Sequence, residues 1–155
     1  MSETRPRARP FAYRTPTLKG DRGVTALVKS DILIGIVQTL KRGGEQVLHS
    51  HSGMDGFWFV LKGRARFYGE ADVLIAEVGQ HEGVFVPRGA IYRFQAVGDE
   101  MLELLQVEAT DKRGPNKLTT YGGKSAPIPL EIFRPTGELM EEVMADPDYE
   151  APVDE

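Results

Sequence analysis

The sequence predicts an all-β protein, an antiparallel jelly-roll β-barrel, and three observations carry that prediction. Short runs of β-branched and aromatic residues recur from Val24 to Val107, turn residues separate them, and 17 Gly and 10 Pro in 155 residues argue against long helices. Strands fall near 24–28, 32–40, 45–51, 57–61, 64–68, 73–78, 83–86, 91–96 and 101–109. Between them stand Lys41-Arg42-Gly43-Gly44, Ser52-Gly53-Met54-Asp55-Gly56, Lys62-Gly63, Gly69-Glu70-Ala71-Asp72, Gly79, Pro87-Arg88-Gly89 and Gly98-Asp99, residues that tolerate positive φ or preset a bend. Eight or nine such strands close a jelly roll.

Around this barrel, 24–110, the sequence divides into a basic N-terminal arm, 1–23, and a C-terminal segment, 111–155, read as an extended wrap, a short helix and an acidic tail. The helix is expected over 137–145, GELMEEVMA, where Leu139, Val143 and Met144 share one side at helical spacing. Residues 1–22 carry Arg5, Arg7, Arg9, Arg14, Lys19 and Arg22 against Glu3 and Asp21. Residues 138–155 carry eight acids and no base. The basic arm is short, broken by Pro6, Pro10 and Pro16, and poor in interleaved aromatics, so it reads as a solvated or partner-docking arm and not as a nucleic-acid binder. Contact between it and the acidic tail, across a homodimer, follows from sign alone.

Length and composition narrow the function. The chain is one domain's worth of sequence, with ordinary hydrophobic and charged fractions of 41% and 27%. The longest apolar stretch, Ile32 to Val37, contains Gly35 and falls far short of the roughly 18 residues of a membrane span. The N-terminus has no apolar signal region, and the absence of cysteine rules out disulfides, thiolate metal sites and cysteine nucleophiles, so a cytoplasmic setting is expected. No glycine-rich phosphate loop or nucleophile elbow is present, which leaves no nucleotide or flavin signal and no acyl-transfer site.

Chemistry concentrates around Gly43, Gly44, His49, Ser50, His51, Asp55 and Gly63. His49 and His51 stand two apart on a strand, so both imidazoles face one side. That placement suits chelation of a metal by neutral imidazole, and it equally suits a pair of acid/base groups. His81, in Gly79-Gln80-His81-Glu82-Gly83, reads as a turn-exposed histidine.

In these motifs, over about residues 32–109, the sequence resembles the cupin superfamily. The first cupin motif, G-x5-H-x-H-x(3,4)-E-x6-G, opens with Gly43, His49, Ser50 and His51 and closes on FWFVLKG at 57–63. The centre of the second, P-x-G, matches Pro87-Arg88-Gly89 after GVFVPRG at 83–89. The resemblance implies a metal held by His49 and His51, yet Gly56 stands at its glutamate, Tyr92 at its third histidine and Ala96 at its trailing asparagine. Asp55, one residue before the glutamate position, would supply a carboxylate if the 52–56 loop shifted register.

The site expected from this match has His49, His51 and Tyr92 as catalytic residues, and His49, His51 and Asp55 as ligands of a weakly held Fe, Mn, Ni or Zn ion. Trp58, Phe94 and Ala65 are expected to wall a cavity, with a gap beside the indole where the glutamate is missing, and Gln38 and Gln106 to bond a ligand or each other. The cavity suits a small, partly apolar or aromatic metabolite. A divalent-metal-dependent enzyme of oxygenase or isomerase type, a metal-free acid/base isomerase or cyclase, and a non-catalytic metabolite sensor are all compatible with these residues. The expected partners are the small-molecule ligand and a second copy of the chain, with no nucleic acid and no membrane.

Overall fold

The computed structural model describes residues 4–146. Among them twelve strands form the chain: β1 (Arg22–Lys29), β2 (Leu33–Leu40), β3 (Leu48–His51), β4 (Met54–Lys62), β5 (Arg64–Tyr68), β6 (Leu74–Val78), β7 (Gly83–Val86), β8 (Arg93–Val97), β9 (Leu102–Thr110), β10 (Leu118–Tyr121), β11 (Ile128–Phe133) and β12 (Leu139–Ala145). One large sheet runs β12-β11-β1-β2-β9-β4-β7, and smaller sheets β6-β5-β8 and β10-β3 face it. The two small sheets meet through the bridges Gly44 to Gln95 and His49 to Tyr92. The result is an all-β jelly roll. No helix among the described residues is long and apolar enough to cross a membrane.

Side-chain alternation sets the interior. In β4 the even residues Met54, Gly56, Trp58 and Val60 are buried while Phe57 is exposed, and in β5 Ala65 and Phe67 are buried between outward Arg64 and Arg66. Leu40, Trp58, Val60, Ala65, Phe67, Val78, Val86, Tyr92, Phe94, Leu102 and Leu104 make the main core. Each large side chain buried there contributes about 1.5–3 kcal/mol relative to an exposed one. A second cluster, Val24, Ile34, Ile36, Leu130 and Ala145, lies under the other end of the large sheet.

The C-terminal segment departs from expectation. Residues 139–145 are a strand, not a helix, pairing antiparallel with β11, and β11 in turn runs parallel to β1. Leu139 and Val143 are four apart, and that spacing puts two residues on one face of a helix and also on one face of a strand. Pairing with β11 decides between them, and Gly137, at φ 91°, makes the turn that permits it. The 110–135 wrap contains two strands, β10 and β11, while the acidic tail from 147 lies outside the described residues.

The N-terminal arm lies along the outer face of its own large sheet. Two buried carboxylates hold it: Glu103 accepts from Tyr13 Oη at 2.6 Å and Thr15 Oγ1 at 2.7 Å, and Glu131 accepts from the backbone N–H groups of Lys19 and Gly20, both at 2.9 Å. Burial and the adjacent carboxylate push the Tyr13 phenol well above its ordinary value.

The two motif glycines do different work. Gly43 has φ 84° with open space around it, whereas a Cβ on Gly44 would strike the backbone oxygen of Phe94 and lie 2.7 Å from Gln95 Cα. Gly43→Ala is therefore expected to cost about 1 kcal/mol from backbone strain. Gly44→Ala must part the chain from β8 and is expected to cost more than the roughly 1–3 kcal/mol of ordinary overpacking. Denaturant unfolding of both variants checks the order; equal losses would contradict the close approach at Gly44.

Candidate functional site

The alternation that buries Trp58 also places the histidines. Residues 45, 47, 49 and 51 share one face of the strand leading through β3, and all four are buried or half-buried. The His49 and His51 rings meet edge to face at 5.4 Å, and the Tyr92 ring packs on His49 at 4.5 Å. The structure thus brings together His49, His51 and Tyr92. Backbone pairing fixes the contact: His49 N–H bonds Tyr92 O at 3.1 Å and Tyr92 N–H bonds His49 O at 3.0 Å.

Glu45, which sequence reasoning missed, completes the group. His49 Nδ1 is 3.0 Å from Val47 O and its Nε2 is 3.2 Å from Glu45 Oε2, with His49 1% and Glu45 5% exposed. A carbonyl only accepts, so Nδ1 carries a proton; a carboxylate on the other nitrogen draws a second one, which makes His49 an imidazolium. Glu45 Oε1 accepts from Phe94 N–H at 3.1 Å. The signal was its parity: Glu45 stands four residues before His49 and faces the same side.

His51 differs from its neighbour. It is half-buried, and its ring has no hydrogen-bond partner among the described residues. Burial holds its proton affinity below the ordinary histidine value, the His49 charge adds to that, and Glu45 opposes it. His51 is neutral at neutral pH.

The remaining expected residues lie in three places. Trp58 and Phe94, 2% and 0% exposed, are packed into the core with Ala65 and Phe67, so these rings fill the barrel where a walled cavity was expected. The expected gap at Gly56 is also filled, since a Cβ there would meet Glu108 Cγ and the Trp58 ring at 3.0 Å. The Trp58 Nε1–H has no hydrogen-bond partner among the described residues.

Gln38 and Gln106 face inward and bond each other. Arg22 Nη2 donates to Gln38 Oε1 at 2.6 Å, Gln38 Nε2 donates to Gln106 Oε1 at 2.6 Å, and Gln106 Nε2 donates to Glu108 Oε1. All four residues are buried, and Arg22 and Glu108 were missed because each looks like an ordinary strand charge. Asp55 is on the opposite face of β4 from Gly56 and Trp58, where Oδ1 accepts from Arg88 N–H at 2.8 Å. β4 begins at Met54, so no register shift brings Asp55 to the histidines. His81 is exposed in its turn, stacked on Phe59 at 6.3 Å.

These residues do not fit a divalent metal. His49 has both ring nitrogens engaged, Gly56 and Tyr92 offer neither the carboxylate nor the third imidazole, and among the described residues no group of three His, Asp or Glu converges. Open space lies instead at the barrel rim. A cleft of about 420 Å³ is lined by Arg22, Arg42, Gly43, Gly44, Glu45 and Gln95, with Ile128 and Pro129 on its apolar side. Glu45 and Arg22, nearly inaccessible to solvent, form its floor.

The cupin-domain family model matches residues 36–108, which span the two histidines, the cleft turn and the P-x-G turn. Those residues, just under half of the chain, are similar to the cupin domain. Solved cupin folds superimpose on the chain. A conserved protein with a double-stranded β-helix domain from Klebsiella pneumoniae is 17% identical, with TM-score 0.59 over 76% of this chain and 100% of that one. A cupin superfamily protein from Desulfitobacterium hafniense is 20% identical, with TM-score 0.54 over 68% and 94%. KdgF from Halomonas is 12% identical, with TM-score 0.50 over 57% and 78%. At these identities the likeness concerns the cupin fold alone. No curated protein sequence matches the chain.

The His51 environment has a measurable consequence. Its folded-state proton affinity is depressed, so the unfolded chain binds more protons as pH falls below about 6.5, and the His51 contribution to stability is lost on acidification, not on alkalinisation. Proton NMR titration is expected to give a His51 midpoint below the ordinary histidine value of 6.5. A His51 midpoint above 6.5 would contradict the assignment.

Proposed function

We propose that this protein binds a small organic molecule in the rim cleft between Arg22, Arg42, Glu45 and Gln95. The observation that carries the reading is the cleft itself: its volume, about 420 Å³, lies in the roughly 300–1,000 Å³ range of small-molecule sites, and two buried groups of opposite charge form its floor. Arg22 offers donors to a carboxylate or carbonyl oxygen, Glu45 accepts from a hydroxyl or amine, and Ile128 and Pro129 cover an apolar part. A small, partly apolar metabolite with both kinds of polar group matches that lining. Because Glu45 also bonds His49, occupancy of the cleft is felt by the imidazole pair inside the barrel.

A second reading, proton transfer as in an isomerase or cyclase, is favoured by one observation. His51 is a neutral imidazole whose ring has no hydrogen-bond partner among the described residues, packed against His49, and such a group is equipped to take a proton. His49, with both nitrogens engaged, would orient and charge the site without touching the ligand. A cytoplasmic setting and a homodimer belong to the same proposal.

Thermal-shift screening of polar metabolites tests both readings. Gln95 is exposed, so Gln95→Trp fills the cleft without entering the core. A compound that stabilises the wild type is expected to bind about tenfold more weakly or worse to Gln95→Trp, a loss of about 1.4 kcal/mol. Binding that survives Gln95→Trp but fails in His51→Ala would overturn the cleft and favour the second reading.

A further inference from the structure

We propose that the Glu45 carboxylate stands in for a metal ion at His49, so that this barrel excludes the divalent cation that its family resemblance implies. A ligating imidazole offers a lone pair from one ring nitrogen while the other, protonated, bonds an acceptor. His49 meets the second condition through Val47 O at 3.0 Å. It fails the first, because Glu45 Oε2 lies 3.2 Å from Nε2, where the ion would have to approach.

The carboxylate is anchored there. Glu45 Oε1 accepts from Phe94 N–H at 3.1 Å, and the Glu45 backbone N–H bonds Phe94 O at 2.8 Å. Swinging the side chain aside therefore leaves a buried N–H on β8 without its acceptor. Held together, imidazolium and carboxylate are a neutral pair, and removing either leaves the other a lone buried charge.

The other two expected ligand positions agree. Gly56 has no room for a carboxylate side chain against Glu108 Cγ and the Trp58 ring, and Tyr92 packs its ring on His49 where a third imidazole would stand. Three independent positions thus forgo the ion, and Glu45 fills its place in the charge balance. This holds whether or not the rim cleft takes a ligand.

The test is metal titration of the intact chain, purified without chelator, with Zn2+, Ni2+, Co2+ and Mn2+, read by metal analysis and calorimetry. The wild type is expected to hold no stoichiometric metal. Glu45→Ala frees Nε2 and is expected to gain affinity for Zn2+ or Ni2+ by about tenfold or more, a gain that His49→Ala in the same chain abolishes. Stoichiometric binding by the wild type that weakens in Glu45→Ala overturns the proposal, because Glu45 would then be a ligand. A Glu45→Ala chain that folds by circular dichroism and gains no affinity overturns it too. If that variant does not fold, nitrogen NMR of the wild type decides: two protons on the His49 ring that persist after metal addition support the substitution, and an unprotonated Nε2 refutes it.

Discussion

The barrel depends on one seam, the pairing of residues 44–51 with β8. β3 and β8 belong to different small sheets, and among the described residues the bridges Gly44 to Gln95 and His49 to Tyr92 join the segments that contain them. Around these bridges the chain adds the bonds of Glu45 and Ala96 to the opposite backbone. The seam sets the contact of His49 with Tyr92, brings Glu45 to both Phe94 and His49, and leaves the rim cleft beside Gly43 and Gly44. A glycine at 44 is what lets two backbones come so near. Fold and site are therefore consequences of the same close approach.

The interior combines a packed apolar core with an unusual share of buried charge. Phe67, Phe94, Trp58 and Tyr92 interlock through ring contacts between 4.9 and 6.4 Å, which supplies much of the hydrophobic stabilisation. Beside them Arg22, Glu45, His49 and Glu108 are also buried. Isolated, each would cost several kcal/mol; here each has hydrogen-bonded partners of complementary charge or polarity. Packing and paired charges fill the space around Gly56 and Tyr92, the positions where the motif's usual ligand residues are replaced.

Most of the barrel could be read from the sequence, because strand parity and turn residues are local signals. The strands near 64–68 and 83–86 were placed at their observed limits, and His49 and His51 on one face follows from period two alone. The C-terminal strand was not legible, since a spacing of four serves helix and strand equally and only the distant pairing with β11 separates them. Glu45 and Glu108 were not singled out for a different reason. Their roles depend on neighbours far away in sequence, Phe94 for one and the adjacent-strand Gly56 for the other, and no local pattern reports such a contact. Asp55 drew attention by its nearness in sequence to a motif position, but adjacent strand residues point to opposite faces.

The relay from Arg22 through Gln38 and Gln106 to Glu108 has an orientational consequence. Guanidinium can only donate and carboxylate can only accept, so the two ends dictate which way both amides lie between them. Neither glutamine can turn its oxygen and nitrogen around without creating two clashes of like polarity. Four side chains from β1, β2 and β9 are thereby given a single sense of direction, like a row of compass needles between opposite poles. Such a row aligns three neighbouring strands by polarity as well as by fit, and it distinguishes this arrangement from any slipped pairing that apolar residues alone would tolerate.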